Sequence, residues 1–143
     1  MPDITVYGLT LGARTTTMDK TGATMYMLQN TSYTTTYMTS VETTLAANTS
    51  RNYYNLFTIE NNKVKSVARD TYLTGTNGNI SFGAGTDYTI NASGNNIRIY
   101  YTSGWGWYQQ TYYVRQSNNT TVGIANNTSN RNWNLYPVSY DIP

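Results

Sequence analysis

One pattern occurs three times in this chain of 143 residues, at intervals of about forty residues. Each copy has a tyrosine followed by an apolar residue, then a polar stretch rich in Thr, Asn and Gly, and then a short strand with alternating apolar residues. An internal repeat of this length predicts an architecture of three similar units. The tyrosine pairs are Tyr37-Met38, Tyr72-Leu73 and Tyr113-Val114, and the closing strands are Tyr54-x-Leu56, Ile97-x-Ile99 and Trp133-x-Leu135.

The composition is typical of all-β proteins. Charged residues make up only 11% of the sequence, against about 25% in an average soluble domain, and Thr, Asn, Ser and Tyr take their place. Aromatic residues reach 14%, which predicts a packed fold rather than disorder. Thr and Tyr favour strands, Asn and Gly favour turns, and strong helix formers are sparse. We therefore expect a single all-β domain.

Several classes of function lack the residues that they require. The chain has no Cys and no His, which excludes thiolate and imidazole metal sites and a Ser–His catalytic pair. Glu42 with Glu60 or Asp70 is the best candidate for a pair of hydrolytic carboxylates. The seven acidic residues are spread along the chain, however, as is typical of surface and turn positions. We expect no enzyme, no metal and no cofactor.

The partners of the chain are constrained in the same way. The nine basic residues are scattered and give a net charge of +2, whereas nucleic-acid binding needs a concentrated basic face. No apolar run reaches the length of a membrane span, and the first residues lack the pattern of a secretory signal. A surface rich in Thr, Asn and Tyr is typical of proteins outside cells. We expect an extracellular, cell-surface or virion location, with neither nucleic acid nor membrane insertion.

The repeats occupy residues 23–143, and residues 1–22 form an N-terminal extension. Residues 3–12 alternate with a slip at Gly8, which predicts one bulged strand or two short strands. A surplus strand can add to the sheet edge of a neighbour, so a homo-oligomer through residues 3–12 is expected. Four short strands per repeat give about twelve strands, which predicts a β-trefoil, a barrel capped by three hairpins. The alternative is a β-sandwich, whose short strands recur at roughly eight- to twelve-residue spacing.

Two stretches of the sequence resemble the ricin-B-type lectins. Residues 25–30, Met-Tyr-Met-Leu-Gln-Asn, with Tyr37-Met38-Thr39-Ser40 resemble the opening of a lobe in that family. Leu56-Phe57-Thr58-Ile59 leading to Lys63-Val64 resembles the junction between two lobes. The resemblance covers residues 23–138 and implies a sugar-binding β-trefoil. The Gln-x-Trp triplets of the family are absent, so its sugar-site positions do not carry over. Their places are held by Tyr54-Asn55-Leu56, Asn96-Ile97-Arg98 and Asn132-Trp133-Asn134.

Aromatic and amide side chains in the third repeat predict a carbohydrate site. A sugar has an apolar face and a rim of hydroxyls, so its sites pair an aromatic platform with planar amides. Trp105, Trp107 and Tyr108 lie in a segment interrupted by glycines, which would expose them at a loop tip. The alternative is that one or both tryptophans fold back to cap the barrel or fill an interface. Asn118 and Asn119 are the expected hydroxyl-binding groups. The first and second repeats offer weaker sets: Glu42, Asn48, Tyr53 and Tyr54, and Asn77, Asn79, Asp87 and Tyr88.

Trp133 has a different role, because it alternates with Leu135 on the closing strand and is therefore predicted to be core. The remaining predicted core residues are Leu28, Met38, Leu56, Leu73, Ile97, Ile99, Val114 and Val122. The leading hypothesis is a non-catalytic, lectin-like module that binds carbohydrate, a cell-surface glycan or polysaccharide, on a cell or virion surface. The alternative is a structural subunit of a virion, pilus or other extracellular assembly, with the N-terminal strand making subunit contacts.

Overall fold

The computed structural model describes residues 7–42 and 44–141. These residues form thirteen strands in one antiparallel sheet, rather than the two sheets of a sandwich, and two single-turn 3₁₀ helices at Tyr53–Asn55 and Gly106–Tyr108. In these ranges no helix has both the length and the apolar character needed to cross a membrane. The strands are β1 (Tyr7–Leu11), β2 (Met25–Asn30), β3 (Tyr37–Val41), β4 (Thr44–Asn48), β5 (Phe57–Glu60), β6 (Lys63–Ser66), β7 (Thr71–Thr74), β8 (Ser81–Gly83), β9 (Thr89–Ser93), β10 (Asn96–Ser103), β11 (Gln110–Gln116), β12 (Val122–Ala125) and β13 (Trp133–Asp141).

Six strands are connected in a ring. β13 pairs with β2, β2 with β5, and β5 with β6. β9 pairs with β10, and β10 pairs in turn with β13. Between β6 and β9 the ring is joined by the hydrogen bond that Tyr88 N donates to Asn62 O, at 2.8 Å. The ring therefore places the first and last repeats side by side.

Three hairpins, β3–β4, β7–β8 and β11–β12, contact one another next to the ring. Thr44 of β4 pairs with Ser81 of β8, and Ala46 of β4 bridges to Thr121 just before β12. In the third contact, the backbones of Gly78 and Ile124 exchange two hydrogen bonds of 2.8 Å. Each repeat thus has the same order, a ring strand, a hairpin and a second ring strand.

The main core lies between the ring and the hairpins. Its members are apolar residues that alternate with polar ones along their strands, such as Ile97 and Ile99 of β10. This is the pattern expected where one face of a strand is buried. Trp133 is completely buried, and its indole Nε1 donates a hydrogen bond of 2.9 Å to Val114 O. The prediction that Trp133 is core is confirmed. The other predicted core residues are also buried, namely Leu28, Met38, Leu56, Leu73, Ile97, Ile99, Val114 and Val122.

The N-terminal segment packs on a second, smaller apolar cluster. The cluster contains Met27 and Val138, on which Leu9 and Leu11 of β1 pack. β1 pairs with β13 of the same chain, and the register shifts between Tyr7 and Thr10, as expected for a bulged strand. Residues 3–6 of the predicted strand lie outside the described residues. Residues 7–11 are therefore integrated into the sheet of their own domain.

Candidate functional site

The β10–β11 hairpin carries the aromatic residues singled out by the sequence. β10 has eight residues and β11 seven, and the last pair of the ladder is Ser103 with Gln110. Tyr101 and Tyr112 of this hairpin pack against the main core. Because side chains alternate across a strand, Tyr100 and Thr102 project from the opposite face. The connecting residues 104–109 lie at the end of the hairpin.

The three aromatic residues of this connection, Trp105, Trp107 and Tyr108, form an exposed group that we call the aromatic tip. Trp105 is 76% exposed, Trp107 83% and Tyr108 58%. The rings of Trp107 and Tyr108 are stacked, with centroids 3.8 Å apart, and Trp105 meets Tyr108 edge-on at 6.2 Å. The residues therefore stand at a loop tip and do not fold back onto the ring of strands. One face of Trp107 is covered by Tyr108, which holds the indole as a platform.

Gly104 shapes the aromatic tip. Its φ angle of +85° lies in the left-handed region, and a Cβ at this position would stand 2.8 Å from the carbonyl oxygen of Tyr108. Only glycine fits this conformation and this approach without displacing the neighbouring backbone. The connection is closed by two local hydrogen bonds, from Tyr108 N to Trp105 O at 3.2 Å and from Gln109 N to Gly106 O at 3.4 Å. The aromatic tip is thus shaped by its own backbone.

A polar depression of about 370 Å³ lies on the outward face of β9, β10 and β11, and we call it the outer groove. The rings of Tyr100 and Tyr113 face each other across the strand pair at 5.5 Å. Asn91 Nδ2 donates a hydrogen bond of 2.9 Å to the hydroxyl oxygen of Tyr100. The outer groove reaches Thr111, whose pair with Thr102 is next to the last pair of the hairpin ladder. Its lining residues are Asn91, Ala92, Ser93, Arg98, Tyr100, Thr111 and Tyr113.

The structure does not bring Asn118 and Asn119 together with the aromatic tip. They follow the far end of β11, whose seven residues span about 20 Å. Asn118 Oδ1 accepts hydrogen bonds from Thr120 N and Thr121 N, both at 2.9 Å, so its side chain stabilises the turn before β12. Sequence proximity was a poor guide here because β11 separates the two loops.

The sequence reasoning overlooked Arg98, Tyr100 and Asn91. A signal for two of them was present, because Ile97 and Ile99 were predicted to be core. On a strand, the residues that alternate with them must then face outward. Asn91 could not be predicted by this rule, since its place opposite Arg98 depends on the β9–β10 register.

The first repeat brings together part of its predicted set. Glu42, Asn48 and Tyr54 line a shallow depression of about 210 Å³, together with Arg69 from the loop after β6. The guanidinium of Arg69 lies 5.1 Å from the centre of the Tyr54 ring, and its Nη2 donates a hydrogen bond of 3.4 Å to Ser40 O. Tyr53 packs in the second apolar cluster instead. Arg69 is a further residue that the sequence reasoning overlooked.

The second repeat does not assemble its predicted set. Tyr88 is a buried core residue, and burial raises its pKa to about 12. Asp87 forms an ion pair with Lys63. Asn79 lines a depression where the three hairpins meet.

The two acids considered as partners of Glu42 are held by ion pairs with one lysine. Lys65 Nζ lies 2.9 Å from Asp70 Oδ1 and 3.5 Å from Glu60 Oε1, and the contact with Asp70 raises the pKa of Lys65. The Tyr72 hydroxyl donates a hydrogen bond of 2.5 Å to Glu60 Oε2, and this bond raises the pKa of Tyr72. Glu60 and Asp70 therefore take part in surface contacts of β6 and β7. In the described ranges, no three acidic side chains cluster as metal ligands would.

Comparison of the chain with protein-family models, with curated proteins and with solved structures found no significant match.

Proposed function

We propose that this protein is a non-catalytic glycan-binding module with a β-trefoil fold that acts at a cell or virion surface. The ligand site consists of the aromatic tip and the outer groove. The observation that carries the proposal is the group of three exposed aromatic rings, two of them stacked, at the end of a hairpin whose outward face carries a groove lined with hydroxyl, amide and guanidinium groups.

The trefoil part of the proposal is supported by the strand connections. In a trefoil, six strands form a barrel and three hairpins close one end. Here six strands form a ring, and the three hairpins contact one another in pairs. The order of strand, hairpin and strand is the same in the three repeats found in the sequence. The resemblance to ricin-B-type lectins points to the same fold.

The glycan part of the proposal is supported by the chemistry of the surface. Large apolar side chains with more than half of their area exposed are costly in water, and a contiguous group of them marks a contact surface. The outer groove adds hydrogen-bond donors and acceptors, so the surface is not purely apolar. An aromatic platform next to such groups suits a sugar, whose C–H face stacks on a ring while its hydroxyls bind polar groups.

A glycan array probed with the wild-type protein and with Trp107→Ala tests this function. We expect the wild type to bind a defined set of glycans and Trp107→Ala to lose at least about tenfold in affinity, which corresponds to about 1.4 kcal/mol. Thr17→Ala is the control, since Thr17 is exposed and lines none of the three depressions described above. Circular dichroism establishes that both variants are folded. Absence of any glycan bound at millimolar concentration, with no effect of Trp107→Ala, would rule out the proposal.

Self-association through residues 3–12, which the structural-subunit alternative requires, is a separate proposal with its own test. Deleting residues 1–12 would remove Leu9 and Leu11 from the second apolar cluster, and would therefore impair folding rather than report on assembly. Deleting residues 1–6 keeps β1. Light scattering should show an oligomer for the full chain and a smaller species for this deletion. A monomeric full chain at high concentration removes the proposal.

A further inference from the structure

We infer that the outer groove recognises an anionic saccharide, one that carries a carboxylate or a sulfate group. This inference rests on the proposed glycan-binding function and adds the chemical class of the ligand. It depends on the distribution of charge along the chain, on three arginine side chains without ion pairs among the described residues, and on the position of these side chains near Tyr100 and Tyr113.

The charges of the chain are divided unevenly. Residues 88–140 contain three arginines and no acidic residue. The preceding 87 residues contain six basic and six acidic residues, and the last acid of the chain is Asp141. The excess positive charge is thus concentrated in the third repeat, although the basic residues are scattered along the sequence. The three arginines are Arg98, Arg115 and Arg131.

These arginines form no ion pair among the described residues. Arg98 Nε donates a hydrogen bond of 2.8 Å to Asn132 Oδ1, and Arg115 Nε donates one of 2.9 Å to Ser129 O. The guanidinium of Arg131 lies 4.6 Å from the centre of the Tyr113 ring. In the second repeat, by contrast, Lys63 and Lys65 are paired with carboxylates. The third repeat therefore presents guanidinium groups whose charge no protein anion neutralises.

The three guanidinium groups belong to one surface. Arg98 lines the outer groove and lies two residues before Tyr100 on the same face of β10. Tyr113 is opposite Tyr100, and Arg115 follows it by two residues on the same face of β11. Arg131 covers the Tyr113 ring. Arg98 and Arg115 therefore lie on the same side of the two rings, the side away from the aromatic tip, and Asn91 is opposite Arg98 on β9.

This arrangement suits a sugar ring that carries an anion. The hydrogen bonds of Arg98 and Arg115 use Nε, which leaves their Nη groups for a two-pronged contact with a carboxylate or sulfate. Arginine is better suited to such contacts than lysine, because its planar fork matches the geometry of the anion. A nucleic acid would also be anionic, but its affinity depends on many phosphate contacts, and this surface offers three cations.

The test is an array in which the same oligosaccharide backbones are present in neutral, carboxylate-bearing and sulfated forms, together with a single-stranded oligonucleotide. We expect the wild type to bind an acidic form about tenfold or more tightly than its neutral counterpart, as charge-assisted hydrogen bonds require. The carboxylate and sulfate forms distinguish the two sources of negative charge. The preference for the acidic form should weaken as the salt concentration rises.

Arg98→Gln should abolish the preference and leave the affinity for the neutral form within about twofold of the wild type. Lys20→Gln removes the same charge from an exposed position outside the third repeat and should keep the preference. Equal binding of neutral and acidic forms, or equal effects of the two variants, would overturn the inference and leave the glycan-binding function intact. Tighter binding of the oligonucleotide than of every saccharide would also overturn it. Binding to no saccharide at all would overturn the proposed function itself.

Discussion

Residues 31–36 join β2 to β3, and residues 104–109 join β10 to β11, so two connections of six residues occupy the same place in the first and third repeats. The first connection is tied to the body of the protein. Gln29 Nε2 donates a hydrogen bond of 2.8 Å to Thr34 O, and Gln116 Nε2 donates one of 2.9 Å to Thr36 Oγ1. The second connection holds itself together through local hydrogen bonds and exposes its aromatic rings.

The difference arises from the strands that carry the two connections. β10 and β11 form a four-pair ladder that continues to Ser103 and Gln110, which carries residues 104–109 away from the ring. β2 ends at Asn30, which is completely buried and binds both its own loop and the third repeat. One position in a repeated architecture therefore serves packing in the first repeat, whereas in the third it is available for binding.

The largest effect should come from Trp133, which pairs with Asn30 at the start of the first connection and with Ile97 of β10, the strand that leads to the second. Trp133→Ala should lower the free energy of unfolding by about 3–5 kcal/mol, since it removes a fully buried indole. Trp107→Ala should leave stability within about 0.5 kcal/mol of the wild type. Urea denaturation of both variants measures the contrast. Similar losses for the two tryptophans would show that the aromatic tip is part of the core.

The next effect should come from Asn30, which ties residues 31–36 to the third repeat. Its Nδ2 donates a hydrogen bond of 2.7 Å to Asn130 O, and its Oδ1 accepts one of 3.0 Å from Ser32 N. Asn30→Ala removes the hydrogen-bond partner of both backbone groups and should lower the free energy of unfolding by about 2 kcal/mol. Thermal unfolding tests this value, with Asn119→Ala as an exposed asparagine control. An equally small shift for both variants would mean that residues 31–36 are no more firmly held than the aromatic tip.

The free energy of unfolding should fall at high pH because of Tyr88, whose backbone N–H closes the ring between β6 and β9. Burial raises the pKa of Tyr88 from 10.0 to about 12 in the folded protein. The contribution of this raised pKa is therefore fully present below pH 10, where the unfolded chain also keeps the proton, and is lost as the pH rises through about 12. The loss should be on the order of 2 kcal/mol. Tyr88→Phe has no such proton, so the stability difference between wild type and variant should shift toward the variant by that amount between pH 9 and pH 12. A difference independent of pH would contradict the assignment.

Local effects on stability should come from the two glycines of residues 104–109. Gly104 and Gly106 both have positive φ, but only at Gly104 would a Cβ meet another atom, the Tyr108 carbonyl oxygen. Gly106→Ala should cost about 1 kcal/mol for its positive φ, and Gly104→Ala up to about 2 kcal/mol, because its Cβ would also displace the Tyr108 backbone. Gly104→Ala should also displace Tyr108 and weaken glycan binding more than Gly106→Ala does. Binding isotherms and tryptophan quenching by iodide measure this difference, and equal behaviour of the two variants would contradict it.

The sequence predicted the strands better than the site. Ile97 and Ile99 alternate, and this alternation is enough to place them in the core and, by the same rule, to turn Arg98 and Tyr100 outward. The aromatic residues at 105, 107 and 108 were recognised from their glycine-rich surroundings. The grouping of these residues with Asn118 and Asn119 was based on closeness in sequence, which the length of β11 overrides.

The sequence by itself determined the all-β class, the three repeats and the core, because strand periodicity and the burial of apolar residues are local properties of a chain. Only the tertiary structure decided which exposed residues meet. The outer groove exists because β9, β10 and β11 lie in register, so that Asn91, Arg98, Tyr100 and Tyr113 share one face. The tertiary structure also distinguished the two connections of equal length. The hydrogen bonds that hold residues 31–36 come from side chains as distant in sequence as Gln116.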